Sequence, residues 1–211
     1  MAKKNLKLNL FFFNVILILF IFCFKSLADS NQIKNNNIVI GSDDSDVKIK
    51  IFSSLTCPHW ASFHIEVLPE IKKEYVDTGK AQIIFIDFPL DIAAFNASKS
   101  LHCLDQKKQI TFLDTIYETQ NAWTVGSTIE DINENLKNIV KSLGITPEKF
   151  DKCLIDQVIS DKILNGRIEA NQKYSIESTP TIIINEKKLE GSVSFENIKK
   201  KNRKNYLIYE F

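Results

Sequence analysis

The sequence predicts an α/β fold in which a block of helices is inserted between the strands of one sheet. Residues 47–52 alternate apolar and polar side chains, and residues 81–88 form a nearly continuous apolar run. Both patterns are typical of strands. Residues 91–173 have a mostly helical pattern, and a strand-forming run returns at residues 178–185. Sheet elements therefore flank an inserted helical subdomain at about 91–173.

The first two long strands bracket a helix that begins beside a cysteine. The alternating strand ends shortly before Cys57, and a helical pattern begins at Pro58. Pro69 is expected to interrupt this helix, and Asp77-Thr78-Gly79 to end it. Strand, helix and strand in this order predict a βαβ unit. Cys57 therefore lies where a strand turns into a helix.

The other elements follow from periodicity and from the positions of Gly and Pro. A short strand is expected at Asn37–Gly41, and a strand buried on both faces at Ala81–Phe88. The predicted helices of the inserted block are Ile92–Leu104, Lys107–Thr119, Thr128–Leu143 and one that begins at Pro147. After the last long strand we expect a hairpin at Leu189-Glu190-Gly191 and a final helix over Phe195–Lys204.

The N-terminus has the pattern of a secretory signal peptide. Three lysines precede an apolar run from Leu10 to Phe24, and Ser26-Leu27-Ala28 supplies small residues for cleavage. The run is shorter than the about 20 residues of a transmembrane helix, so we expect cleavage after Ala28 and a domain over residues 29–211. The cleaved chain would be periplasmic or secreted, with a net charge of −3 instead of +1. An uncleaved chain would be membrane-anchored.

Composition and charge limit the classes of partner. The chain is 44% hydrophobic and 25% charged, which suits one globular domain with an insertion. Its 27 basic and 26 acidic residues nearly cancel, so a nucleic-acid partner is not expected. No Cys-x-x-Cys or His-x-x-x-His spacing supports a metal site, and no cofactor is predicted. His64 and His102 are interpreted as ordinary helix residues.

Three cysteines remain if the signal, which contains Cys23, is removed. Cys103 and Cys153 fall on two predicted helices of the inserted block, and an exported protein meets an oxidising compartment. We therefore expect a structural disulfide between them. The alternative is that they form a second redox pair that resolves a disulfide on Cys57.

Cys57 is placed to be a nucleophile. A cysteine at the N-cap of a helix faces unpaired backbone amides and the positive end of the helix dipole, and both favour the thiolate. Pro58 suits the first helical position because its missing N–H costs no hydrogen bond there. His59 can add positive charge beside the sulfur. The sequence therefore predicts Cys57 and His59 as catalytic residues.

The segments around this cysteine resemble a known family. Phe52-Ser53-Ser54-Leu55-Thr56-Cys57-Pro58-His59, the following Phe63-His64, and Ser178-Thr179-Pro180-Thr181 are similar to the DsbA-like branch of the thioredoxin superfamily. The resemblance implies a thioredoxin-like fold with the helical block inserted before the proline-led strand. It also implies that Thr179-Pro180 is a cis peptide next to Cys57 and pairs with the backbone of an extended substrate. The implied partners are exported proteins with thiols or disulfides.

Two positions depart from the family pattern. Trp60 stands where the family has its second cysteine, so no disulfide can be stored between positions 57 and 60. Ile51 stands where the best-known member has a buried acid in the preceding strand. Both departures remove parts that a dithiol cycle uses. The ring of Trp60 is expected to add apolar surface beside the cysteine and to contact substrate.

Three functions fit these residues. The first is thiol-disulfide exchange through one cysteine, with glutathione or a membrane redox partner resolving the mixed disulfide. The second is a non-catalytic chaperone or binding protein on the same fold. The third is an isomerase or transferase acting on a glutathione conjugate, although such enzymes usually carry serine and no signal peptide. Fold alone does not decide among them.

Overall fold

β-branched side chains build the central sheet. The computed structural model describes the backbone of residues 37–206 and the side chains of residues 37–201. The strands are β1 (Ile38–Ile40), β2 (Val47–Ser53), β3 (Ala81–Asp87), β4 (Thr181–Ile184) and β5 (Lys187–Lys188). They lie in the order β1-β3-β2-β4-β5.

The sheet is mixed, with β2 at its centre. β2 pairs in parallel with β3 and antiparallel with β4, while β1 and β5 pair antiparallel with β3 and β4. Ile51 lies opposite Phe85 on one side and Ile182 on the other, and it is fully buried. This position in β2 is therefore part of the apolar sheet core.

The helical connection between β2 and β3 changes its winding twice. α1 (Pro58–Ser62) is followed by a π-helical turn (Phe63–Val67), α2 (Leu68–Ile71) and a second π-helical turn (Lys72–Val76). Pro69 lies at the start of α2, where it cannot donate a backbone hydrogen bond to the preceding turn. The expected interruption near Pro69 is confirmed.

The inserted block starts and ends close to its predicted limits. Its helices are α3 (Ile92–His102), α4 (Gln106–Glu118), α5 (Gln120–Trp123), α6 (Ile129–Ser142), α7 (Pro147–Leu154) and α8 (Gln157–Tyr174). Asp91 caps α3 by accepting from Ala94 N at 2.7 Å, and Thr128 and Asp131 form a capping box at α6. These short polar residues set the helix starts because they satisfy amides that have no partner within the helix.

Two apolar clusters fill the interior. The larger one joins one face of the sheet to the helices that follow β2 and to much of the inserted block, including Trp60, Phe112, Trp123 and Phe150. The smaller one consists of Phe52, Phe88, Ala170, Ile176 and Ile183. Neighbouring residues of β2 and β4 thus point into different clusters, as expected for strands covered on both faces.

The position predicted for the hairpin is wrong. The β4–β5 turn lies at Asn185 and Glu186, whose φ angles are 44° and 65°, and not at Leu189-Glu190-Gly191. A two-residue hairpin with a type I′ turn has positive φ at both central residues. Asn185 tolerates this conformation and is held by its side chain, which accepts from Lys48 N at 2.8 Å. The final helix, α9 (Phe195–Tyr206), begins as predicted.

The predicted signal peptide, residues 1–28, lies outside the described residues. Within residues 37–206, no helix is both long enough and apolar enough to cross a membrane.

Cys103 and Cys153 are joined by a disulfide, with their Cα atoms 6.1 Å apart. The bond ties the end of α3 to α7 and closes a loop over a sequence separation of 50. Replacing both cysteines by alanine is expected to lower the free energy of unfolding by about 2–4 kcal/mol, because the unfolded chain regains the entropy of the open loop. Urea unfolding of the two proteins measures this difference. Cys57→Ala is the control, since Cys57 closes no loop, and equal midpoints for double variant and parent would contradict the expectation.

Glu186 in the hairpin turn accepts hydrogen bonds from three side chains, Lys50, Lys173 and Tyr174. The bonds from Lys173, Lys50 and Tyr174 lower the pKa of Glu186 from 4.5 to about 2. A lowered pKa in the folded state means that the stabilisation is complete above pH 4.5 and is lost as the pH falls towards about 2.

Glu186→Gln is therefore expected to destabilise the protein by about 1 kcal/mol or less near neutral pH, since the network is exposed to solvent. The difference from the parent should shrink as the pH falls below about 4.5. Urea unfolding across the pH range measures it, with the exposed Glu169→Gln as control. A difference that stays constant down to acid pH would show that ionisation of Glu186 does not stabilise the fold.

Candidate active site

The turn from β2 to α1 presents Cys57 at the helix N-cap. Cys57 has extended φ and ψ of −76° and 117°, and Pro58 follows at the first helical position. The Cys57 amide donates to Ser54 O at 3.0 Å, and the Cys57 carbonyl accepts from Trp60 N and Ala61 N, each at 3.1 Å. The sulfur therefore lies at the N-terminal end of α1, beside backbone amides that have no partner within the helix.

The second half of the site comes from the loop before β4. Cys57 Sγ donates to the Thr179 carbonyl at 3.3 Å, and the Thr179–Pro180 peptide bond is cis, as the resemblance implies. The contact joins residues separated by 122 positions. Cys57 is partly buried and is the free cysteine among the described residues. Thr179 and Pro180 thus lie beside the predicted nucleophile.

His59 is exposed in the first turn of α1. A protonated imidazole there would add positive charge near the sulfur, as the sequence predicts. Its side chain is also accessible to a partner molecule that approaches Cys57.

Trp60 does not form part of the surface beside the cysteine. Its side chain is 0% exposed, and its ring stacks on Phe63 at 4.8 Å and meets the Tyr117 ring edge-on at 5.9 Å. This position corrects the expectation that the Trp60 ring contacts substrate, because a ring enclosed by other aromatic side chains cannot reach one. Trp60 instead packs α1 against Tyr117 of the inserted block.

Tyr117, His64 and Asp114 form a group of polar side chains near α1. Burial raises the pKa of Tyr117 well above its usual value of 10, so its hydroxyl is protonated at neutral pH. The His64 ring lies 4.7 Å from the Tyr117 ring, and its Nε2 is 2.8 Å from Asp114. Burial lowers the pKa of His64 despite the contact with Asp114. The imidazole is thus a packed side chain whose exposed carboxylate partner orients it.

A second histidine pairs with an acid at the end of β3. Asp87 lies opposite Ser53 in the β2–β3 register, and its Oδ2 is 2.6 Å from His102 Nε2. Burial disfavours the Asp87 carboxylate, but charge and hydrogen bonding from His102, with weaker help from Ser98, hold its pKa below the usual value. The sequence predicts ordinary helix residues at His64 and His102. Local pattern does not indicate their carboxylate partners, because 50 and 15 positions separate the two pairs.

Three further residues hold the cysteine turn and were not found from the sequence. Thr56 Oγ1 donates to Asp91 Oδ2 at 2.5 Å, and the side-chain amide of Gln120 donates to Leu55 O at 2.9 Å and to Cys57 O at 3.2 Å. Asp91 carries an N-cap signal, but nothing in the sequence indicates that it also binds Thr56. Gln120 carries no local signal at all.

The described residues contain no group of three or more His, Cys, Asp or Glu side chains placed to hold a metal ion. The turn presents one free thiol, that of Cys57. Cys57 can attack a disulfide and form a mixed disulfide. Trp60, one helical turn later, cannot release that partner as a second thiol would.

The chain is similar in sequence to a known family. A family model described as thioredoxin matches residues 34–201. The chain is 30% identical over 198 residues to the "Probable disulfide bond formation protein D" of Bacillus anthracis, a match that covers 87% of this chain and 89% of that protein. It is 29% identical over 162 residues to the "Putative protein-disulfide oxidoreductase" of Rickettsia bellii, of which it spans 61%.

A solved structure has the same architecture. The crystal structure of alpha-DsbA1 from Wolbachia pipientis superposes with a TM-score of 0.73 at 28% identity, covering 81% of this chain and 91% of that one. This likeness confirms the expected thioredoxin-like fold with its inserted helices. The chain therefore belongs to the DsbA-like thiol-disulfide oxidoreductase family of the thioredoxin superfamily.

Proposed function

We propose that this chain exchanges thiols and disulfides on protein substrates through Cys57 alone. The observation that carries the proposal is the position of Cys57 Sγ, at the N-cap of α1 and 3.3 Å from the Thr179 carbonyl, with Trp60 buried where a resolving thiol would stand. The relatives named for disulfide bond formation and protein-disulfide oxidoreduction support the reaction class.

The reaction has two exchange steps. The Cys57 thiolate attacks one sulfur of a substrate disulfide, so that a bond forms between Cys57 and that sulfur while the other sulfur leaves as a thiolate and takes a proton. An external thiolate, such as that of glutathione or of a membrane redox partner, then attacks the mixed disulfide and displaces one of its sulfurs. Each step forms one S–S bond and breaks one.

The residues around Cys57 have distinct roles in this scheme. His59 would favour the thiolate by adding positive charge. The backbone of Thr179 and Pro180 would align an extended substrate segment beside the sulfur. Trp60 would hold α1 in place and would not touch substrate.

We propose further that the protein acts outside the cytosol, in the periplasm or after secretion, following cleavage near Ala28. The pattern of residues 1–28 supports this location. The disulfide between Cys103 and Cys153 supports it independently, because structural disulfides persist mainly in oxidising compartments. The substrates would then be exported proteins.

The competing function is a binding or chaperone protein without turnover. Leu90 and Ile92, which flank the residue that binds Thr56, are 45% and 58% exposed, and exposed apolar side chains suit unfolded segments. Trp60 and Ile51, both buried, also stand where the resemblance implies a second cysteine and an acid. This function needs no reactive thiol, so the chemistry of Cys57 decides between the two.

The full chain treated with glutathione disulfide is expected to form a mixed disulfide at Cys57. Mass spectrometry of the peptides measures it, and the peptide assignment separates Cys57 from Cys23. Reduction of a protein disulfide should then require added glutathione, because the chain supplies no resolving thiol at position 60. Cys57→Ser is the control and should lose both signals. A native Cys57 that neither forms mixed disulfides nor supports reduction would leave the binding function as the better account.

Trp60→Cys is expected to restore a dithiol cycle. The variant should form an internal disulfide with Cys57 and should oxidise a reduced peptide without glutathione, since the new thiol lies one helical turn from the nucleophile. Replacing the buried indole by the smaller thiol should also lower the free energy of unfolding by about 3–5 kcal/mol. Trp60→Ala is the matched control, because it leaves a similar cavity and adds no thiol. Oxidation of the peptide by the parent itself, without glutathione, would contradict the single-cysteine mechanism.

A further inference from the structure

We propose that Gln120, a residue of the inserted helical block, is a positioning residue for Cys57: its buried side-chain amide holds the cysteine turn in the orientation that makes the sulfur reactive. The inference rests on the proposed function of Cys57 and deepens it. It assigns to the helical block a direct part in the chemistry of the cysteine.

The two hydrogen-bond partners determine the orientation of the Gln120 side-chain amide. Gln120 is 7% exposed, and its Nε2 donates to Leu55 O at 2.9 Å and to Cys57 O at 3.2 Å. Both neighbours are carbonyl oxygens, which only accept, so the NH₂ end and not the oxygen must face them. The two protons of one amide thus bind two carbonyls on either side of Thr56.

These contacts complete the hydrogen bonding of the turn. The Cys57 carbonyl already accepts from Trp60 N and Ala61 N, both within α1, and Gln120 is the donor from outside that helix. Leu55 is almost fully buried, and a buried carbonyl without a donor is unfavourable. Gln120 therefore supplies a hydrogen-bond donor to the buried Leu55 carbonyl and a further donor to the Cys57 carbonyl.

Gln120 is itself held rigidly. It is the first residue of α5, its carbonyl accepts from Thr124 N at 3.1 Å and from Thr124 Oγ1 at 2.7 Å, and Trp123 in the same helix donates to Ile116 O at 2.8 Å. One turn earlier, Tyr117 packs against Trp60. A donor on a fixed backbone limits the positions that the Cys57 turn can take.

The position of the cysteine turn affects the reactivity of the Cys57 sulfur. Thiolate stabilisation at an N-cap depends on how the first-turn amides point at Sγ, and attack on a disulfide needs the sulfur aligned with its target. Without Gln120, the carbonyls of Leu55 and Cys57 would turn towards other donors, and Sγ would move relative to the helix start and to the Thr179 carbonyl. Gln120 then acts through Cys57 and touches no substrate.

The chain contains a matched control. Gln109, in α4, is also buried, and its Nε2 donates to one backbone carbonyl, Leu101 O, at 3.3 Å. That carbonyl lies in α3 and not in the cysteine turn. Gln109→Met and Gln120→Met therefore remove the same kind of bond with the same new side chain, but only the second changes the surroundings of Cys57.

The test measures the rate at which Cys57 in the native full chain reacts with glutathione disulfide and with iodoacetamide across a range of pH, followed at the Cys57 peptide. Gln120→Met is expected to slow both reactions by about two- to twelvefold, the range that corresponds to losing the hydrogen bond to the Cys57 carbonyl, and to move the pH profile to higher pH. Gln109→Met should keep the rates and profile of the parent, even if it lowers the unfolding midpoint as much.

Two results would overturn the proposal: a Gln120→Met variant that reacts as the parent does with the same pH profile, or a Gln109→Met variant that slows equally. Should Gln120→Met not fold, Gln120→Asn replaces it, since its shorter amide cannot reach both carbonyls, and the same slower reaction is expected. The proposed function fails on a different result, an unreactive Cys57 in the parent protein itself.

Discussion

The antiparallel pairing of β2 with β4 is the constraint on which the site depends. Phe52 lies opposite Thr181 in this pairing, so the turn that follows β2 and the loop that precedes β4 meet at one end of the sheet. The contact between Cys57 Sγ and the Thr179 carbonyl follows from that register. A slip of one residue would reverse which face each side chain occupies, and would separate the cysteine from the cis proline loop.

The Trp60 side chain packs in the interior and does not line the surface beside Cys57. Its indole is enclosed by Phe63 and Tyr117. Its Nε1 and the Tyr117 hydroxyl have no hydrogen-bond partner of standard geometry, so the contact is mainly apolar packing. The Trp60 side chain thus forms a packed link between α1 and the inserted block.

The inserted block supports the cysteine turn as well as covering the sheet. Asp91 binds Thr56 at the start of α3, and Gln120 binds Leu55 and Cys57 at the start of α5. The disulfide between Cys103 and Cys153 ties the end of α3 to α7 within the same block. The block therefore contacts the cysteine turn from outside the βαβ unit. These contacts come from residues that are distant from Cys57 in the sequence.

The sequence by itself determined the features that local chemistry decides. Strand alternation, helix periods and the Cys57-Pro58 N-cap can all be predicted from the sequence, because each depends on neighbours within a few positions. Tertiary structure alone decided that Trp60 is buried, that the hairpin turns at Asn185 and Glu186, and that Gln120 reaches Cys57. Each of these depends on contacts between residues far apart in the chain, and packing or a distant hydrogen bond overrides what local pattern and propensity predict.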